Sequence, residues 1–168
     1  DSMQFLVNRR DSDRYTPLHR AVFGRNMDVV KVLCHYGADL NIKCHGTPVL
    51  HLALSTAVLP GGRDFGMELF RLLVEKEADL TAKDDQLGNI THLIAELGLL
   101  EALEILTQMS AGFEIDCKDR AGMRPLHRAA QRDNGEIAAK LLAMGAMQNA
   151  QTSYGSSPLH IAASCASQ

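Results

Sequence analysis

The amino-acid sequence predicts an all-α fold built from stacked helix-turn-helix units. Three observations predict it. A short phrase around a histidine recurs five times along the chain. A second phrase, which begins with glycine in most copies, follows at a regular distance. Apolar residues at three- to four-residue spacing lie between the two, which is typical of amphipathic helices.

The first phrase sets the period of the repeat. It reads TPLHRA at residues 16–21, RPLHRA at 124–129 and SPLHIA at 157–162, and weaker copies lie at 46–53 and 88–98. The histidines of successive copies are 32, 41, 35 and 33 residues apart. One long step among near-equal ones indicates an insertion in the second repeat, since a fixed period is the signature of a repeat protein.

The ends of the two phrases predict where helices begin and end. Thr16 and Ser157 are good N-cap residues, and Pro17 and Pro158 follow at the first helical position, where a missing N–H costs nothing. Gly37 follows the apolar run of a second helix and supplies a left-handed C-terminal residue. Each unit is therefore predicted as helix, turn, helix and an extended finger.

The second phrase makes the pattern specific, because it recurs in phase as GADLN, EADLT, GFEID and GAMQN, at residues 37–41, 77–81, 112–116 and 145–149. Together the two phrases resemble the Thr-Pro-Leu-His-x-Ala and Gly-Ala-Asp-x-Asn hallmarks of ankyrin repeats. The resemblance covers essentially the whole chain. It implies an ankyrin-repeat α-solenoid with short β-hairpin finger loops.

We expect one array over residues 1–168, excerpted from a longer one. The expected parts are a remnant at 1–13, complete repeats at 14–45, 46–86, 87–121 and 122–154, and a truncated repeat at 155–168.

Composition narrows the kind of partner. The chain has 46% hydrophobic and 22% charged residues, a net charge of −3 and scattered Lys and Arg, unlike a nucleic-acid binder. Uncharged runs fall short of a membrane span. The four cysteines are far apart, which favours reduced thiols in the cytoplasm or nucleus. We therefore expect a monomer that binds a protein partner, with no nucleic acid, membrane, small molecule or cofactor.

The histidines are interpreted as structural. His19, His51, His92, His127 and His160 occupy one place in successive units, about 8 to 10 Å apart by helix packing, which is too far for a shared metal. The resemblance implies that each imidazole hydrogen-bonds backbone between units, with Thr16 as part of the same motif. The Cys-His pairs at 34–35 and 44–45 do not suit zinc geometry, and no motif for catalysis occurs. The chain is not expected to be an enzyme.

The resemblance implies a binding face. In ankyrin arrays the fingers and first helices line the concave side, so we expect an interaction scaffold or adaptor; the alternative is a regulatory segment of a larger enzyme, channel or transcription regulator. The position of each residue relative to the first phrase predicts which side chains are exposed on that side, and Cys44 is among them. Aromatic, Met and Arg residues are enriched at hot spots, although each can equally pack on a neighbour. The candidate partner-binding residues are Tyr15, Phe23, Met123, Gln131, Arg132 and Tyr154.

Departures from the repeat carry further expectations. The eight extra residues of the second repeat predict a first helix without a breaker before Pro60, which biases Leu59 out of the helical region, then a turn at 60–63 and an N-cap at Asp64. Val58, Leu59 and Phe65 are expected to be raised as an apolar knob. Glu77 stands where other units have glycine. Thr91 stands where they have leucine.

Overall fold

The computed structural model describes residues 6–109 and 112–165, and the chain divides into two compact units, Asp1–Asp79 and Leu80–Gln168. In the described residues the regular elements are α-helices, accompanied by one isolated antiparallel bridge between Cys44 and Thr47. The predicted all-α class is confirmed.

The first unit contains two helix pairs. They are α1 (Pro17–Phe23) with α2 (Met27–His35), and α3 (Val49–Ala57) with α4 (Arg63–Glu75). Helix α1 packs against both α2 and α3, and α3 packs against α4. The first helices of the two pairs are therefore neighbours.

The second unit repeats this arrangement. Its helices are α5 (Ile90–Leu97), α6 (Leu100–Met109), α7 (Pro125–Gln131), α8 (Gly135–Ala143) and α9 (Pro158–Cys165). Helix α7 contacts α5 on one side and α9 on the other, while α6 and α8 pack against the first helix of their own pair.

The helix ends follow the predicted signals. Thr16 has extended backbone and caps α1, with Pro17 at the first helical position. At the end of α2, Gly37 has a φ of 80°, which lets the N–H of Ala38 reach back to the carbonyl of Leu33 at 2.9 Å. This bond satisfies a carbonyl that the end of a helix would otherwise leave without a partner.

Each pair buries the apolar faces that its spacing predicted. The largest fully buried apolar side chains of the first unit are Leu18, Leu54, Leu69, Phe70 and Leu73. Their counterparts in the second unit are Ile90, Ile94, Leu103, Leu106, Ile137 and Leu141. Burial of such side chains contributes roughly 1.5 to 3 kcal/mol each, so these layers carry most of the stability.

The insertion lengthens both helices of the pair, and the second helix begins earlier than predicted. Helices α3 and α4 have 9 and 13 residues, against 7 and 9 for α1 and α2. Helix α3 ends at Ala57 with Val58 as its C-cap, so Leu59 lies outside the helix as predicted, but the N-cap of α4 is Gly62 rather than Asp64. A Cβ on Gly62 would lie 2.1 Å from the carbonyl oxygen of Thr56, so only glycine lets the chain turn this tightly.

The expected apolar knob is present in part. Val58 and Leu59 are about half exposed, at 47% and 52%, whereas Phe65 is partly buried on α4. The turn itself is fixed by the side chain of Arg25, which donates a hydrogen bond to the carbonyl of Pro60 at 3.0 Å.

Thr91 is the least favourable core residue of α5. It is fully buried and its hydroxyl has no hydrogen-bond partner. A helical threonine usually donates to the carbonyl four residues earlier. Thr91 is the second residue of α5, and Leu87, four residues before it, has a left-handed backbone outside the helix.

Replacing Thr91 by valine is expected to stabilise the protein by about 1 kcal/mol, because the change removes an unsatisfied buried hydroxyl and keeps the shape. The measurement is denaturant unfolding. Thr56→Val is the matched control, because the Thr56 hydroxyl donates to the carbonyl of Leu52 at 2.8 Å and its loss should lower stability. Equal effects of the two changes would contradict this account.

Glu77 has a φ of 57°, the left-handed conformation that Gly37 and Gly145 adopt at the same place. Glu77→Gly is expected to raise the melting temperature, because a side chain in this region costs roughly 1 to 2 kcal/mol. Glu75→Gly, at the last residue of α4, should lower it, since glycine in a right-handed helix is destabilising. A Glu77→Gly protein that melts no higher than the parent would show that the strain is relieved elsewhere.

Candidate functional site

The motif histidines link neighbouring helix pairs. In His19, His92 and His127, Nδ1 accepts the backbone N–H of the residue three positions earlier, at 3.1 to 3.2 Å. Nδ1 is therefore an acceptor and the proton lies on Nε2. That proton is donated to a backbone carbonyl in the segment between that helix pair and the next one, at Ile42 (3.1 Å), Met123 (3.0 Å) and Ala150 (3.0 Å) respectively.

These three imidazoles are neutral in the fold. Burial lowers the pKa of His19, His92 and His127 below the ordinary value, although the backbone carbonyls they bond to oppose the shift. A proton on Nδ1 would also remove the acceptor that each ring offers to its own helix. Both ring nitrogens of these histidines are therefore hydrogen-bonded to the backbone.

His51 and His160 depart from this pattern. His51 is buried, but its α3 begins after Pro48, which has no N–H to donate. His160 is exposed, and the hydrogen bonds described for its ring are local ones to Ser157. Its Nδ1 lies 3.3 Å from the backbone nitrogen of Ser157 and 2.6 Å from the hydroxyl oxygen.

A second link runs between the fingers. The side-chain oxygen of Asn8 accepts the backbone N–H of Asp39 at 2.7 Å, and that of Asn41 accepts the N–H of Asp79 at 2.9 Å. In the second unit the carboxylate of Asp116 accepts the N–H of Met147. This role was not predicted, although most copies of the second phrase end in an amide or carboxylate side chain that could have signalled it.

The fingers are held by an aspartate and an arginine. Asp119 is buried, and its Oδ1 accepts the N–H groups of Ala121 and Met123 at 2.9 Å. Its Oδ2 lies 2.5 Å from Nη2 of Arg128 on α7. Such a charge-assisted pair fixes the finger against its own helix.

The first finger has the same design. The side chain of Asp11 accepts two finger N–H groups through Oδ1 and the guanidinium of Arg20 through Oδ2 at 2.7 Å. The bond from Arg20 is the main cause that lowers the pKa of the Asp11 carboxyl. In the third finger Asp84 binds its own backbone likewise, but Leu93 stands where the arginine would be.

Tyr15 and Phe23 come together as neighbours. The Tyr15 ring makes edge-to-face contacts with Phe23 at 5.2 Å and with His45 at 5.3 Å between ring centroids. The guanidinium of Arg20 lies over the Tyr15 ring, 4.6 Å from its centroid. Tyr15 is half-buried, whereas Phe23 is 51% exposed.

The candidates of the second unit lie at its surface. Arg132 follows α7 and donates to the carboxylate of Glu96 at 2.5 Å, with more than half of its side chain exposed. Gln131 is exposed as well, and Tyr154, in the last described finger, is 89% exposed.

Met123 and Cys44 are not exposed, so that expectation is wrong for both. Met123 is 9% exposed and Cys44 is 4% exposed. The backbone of Met123 is bonded to Asp119 through both its N–H and its carbonyl, which turns the side chain inward. Cys44 forms the backbone bridge with Thr47. Neither side chain faces a partner.

Cys34, Cys44 and Cys117 are not set up for reaction. Burial raises the pKa of the Cys34 and Cys44 thiols, and burial together with Glu114 raises the pKa of Cys117 to about 11. Reactive cysteines need a lowered pKa. Within residues 6–109 and 112–165, His, Cys, Asp and Glu side chains form no group of three that could hold a metal ion. In the same part of the chain no helix is long and apolar enough to cross a membrane.

Comparison with known proteins finds relatives along nearly the whole chain. The nuclear factor NF-kappa-B p105 subunit of Gallus gallus is 31% identical over 164 residues, which are 94% of this chain and 16% of that protein. The B-cell lymphoma 3 protein homolog of Mus musculus is 31% identical over 168 residues, 94% of this chain and 36% of that protein. The chain thus spans well under half of either relative.

A shorter match, 54% identical over 35 residues, is to ankyrin repeat domain-containing protein 49 of Bos taurus. The family model for ankyrin repeats matches residues 1–84 and 91–168, in three copies. These matches agree with the paired helices, the fingers and the histidine links, and the chain belongs to the ankyrin-repeat family.

Proposed function

We propose that this chain is a protein-interaction module whose partner contacts the fingers and first helices. The observation that carries the proposal is a set of aromatic and arginine side chains at these positions. Phe23, Arg132 and Tyr154 are exposed, as is Gln131, and Tyr15 is half-buried beside Phe23. Ankyrin repeats are protein-interaction modules, and side chains of these types are the usual hot spots of interfaces.

Several of these side chains are already ordered. Tyr15 is packed against Phe23 and His45, and Arg132 is held by Glu96. Side chains that are fixed before binding lose little conformational entropy when a partner arrives.

The second candidate function is regulation within a larger protein. It is supported by the short share of each relative that the chain covers, and by the naming of one relative as a nuclear factor. In this case the array would control an enzyme, channel or transcription regulator of which it is part. In either role we propose that the chain is monomeric and non-catalytic and lies in the cytoplasm or nucleus. We propose that it binds a protein, and that it binds no nucleic acid, membrane or small molecule.

Affinity capture tests the proposal. The protein with Tyr15→Ala and Arg132→Ala is compared with the parent, and bound proteins are identified by mass spectrometry. Loss of a hot-spot side chain should weaken binding of at least one captured protein about tenfold or more. Tyr36→Ala with Arg71→Ala is the matched control, because both side chains are exposed and belong to the second-helix side of the first unit. Identical capture by all three proteins would refute the proposed face.

A further inference from the structure

Four side chains of the first unit form a surface that we call the aromatic patch: Tyr15, Arg20, Phe23 and His45. Tyr15 lies at its centre, in contact with the other three. Phe23 presents half of its ring to solvent. The patch joins α1 to the two fingers that precede α1 and α3.

The patch is rigid because charged groups hold its centre. Arg20 is pinned over Tyr15 by Asp11 at 2.7 Å and by Asp13 at 2.6 Å. The imidazole of His45 also bonds to the carbonyl of Asp13 at 3.2 Å. Both carboxylates near the patch are therefore engaged with Arg20, and that of Asp11 also accepts two N–H groups of the finger.

The surroundings of the patch are positively charged. Residues 6–25 and 42–47 carry six Lys or Arg against two Asp. Arg10 donates to the carbonyls of Arg14 and Lys43 at 3.1 Å, and carbonyls leave its positive charge uncompensated. The charge is reversed in the segments that include the second helices of this unit. Residues 26–41 and 63–79 carry four Lys or Arg against seven Asp or Glu.

We infer that the aromatic patch binds an acidic segment of a partner protein, with an apolar side chain of that segment against Phe23 and Tyr15 and its carboxylates facing Arg10 and Arg14. Complementary charge selects such a partner and speeds its approach. The inference rests on the proposed function and adds the chemistry of the partner.

A nucleic acid would also offer negative charge and flat rings. It fits less well, because Asp11 and Asp13 lie next to the patch, against Arg20, and would repel a continuous row of phosphates, whereas a peptide can place its carboxylates at Arg10 and Arg14 alone. Aromatic stacking without a continuous basic track is not the usual arrangement for single strands.

Fluorescence anisotropy with the full 168-residue chain tests the inference. The probe is a labelled short peptide with one phenylalanine between runs of glutamate. We expect binding that weakens between about 0.05 and 0.3 M salt, as screened charges require. Phe23→Ala should weaken binding about tenfold, and Arg14→Gln a few-fold with a smaller salt dependence.

The controls match the variants in residue type. Tyr36→Ala and Arg71→Gln remove an exposed aromatic and an exposed arginine from the opposite side of the unit and should bind like the parent. A peptide with lysine in place of glutamate should not bind. Circular dichroism melts verify that every variant is folded; if Phe23→Ala is not, Phe23→Ser and Arg14→Gln carry the test.

Three results would overturn the inference: no binding of the acidic peptide, equal binding by the parent, Phe23→Ala and Arg14→Gln, or tighter binding of a single-stranded oligonucleotide of equal charge. The proposed function stands apart from these results. It survives if captured proteins still depend on Arg132, and it fails if capture depends on neither Tyr15 nor Arg132.

Discussion

The structure depends on a neutral, buried imidazole that joins one helix pair to the next. The N–H groups at the start of a first helix have no partner within the helix, and the carbonyls of the following segment also need partners. Both kinds of group are shielded from water. Nδ1 of His19, His92 or His127 accepts the former, and the Nε2 proton bonds to the latter. Burying these groups without partners would cost about 1 to 3 kcal/mol each.

The same constraint explains the fingers. Asn8 and Asn41 each accept the N–H of the aspartate that follows the next helix pair, Asp39 and Asp79 respectively. They thus bond N–H groups between pairs, while the histidines bond carbonyls there. Asp11 and Asp119 then fold each finger onto an arginine of its own helix. The exposed side chains of the fingers are therefore mounted on backbone that hydrogen bonds already hold, which suits an interaction surface.

Much of the fold could be predicted because its signals are local. Thr16 and Pro17 begin a helix for reasons contained in a few residues, and Glu77 is left-handed because the repeat requires that conformation. The insertion boundary was missed, because Gly62 caps α4 only through its approach to Thr56. The burial of Met123 was missed as well, since it depends on bonds from His92 and Asp119.

The candidate site was predictable in part for the same reason. Residue type and repeat position were enough to select Tyr15 and Phe23. They did not reveal that Arg20 and His45 complete the cluster, because these contacts depend on how closely helix α1 and the following finger approach Tyr15.

The free energy of unfolding of His127→Ala, measured at pH 8 and again near pH 5.5, tests the histidine link most directly. Because burial lowers the pKa of His127, its stabilisation is complete above the unfolded pKa of about 6.5 and decreases as the pH falls. We predict a loss of about 1 to 3 kcal/mol at pH 8 that becomes smaller at low pH. The exposed His35→Ala control should change little. A His127→Ala protein as stable as the parent at pH 8 would contradict the account.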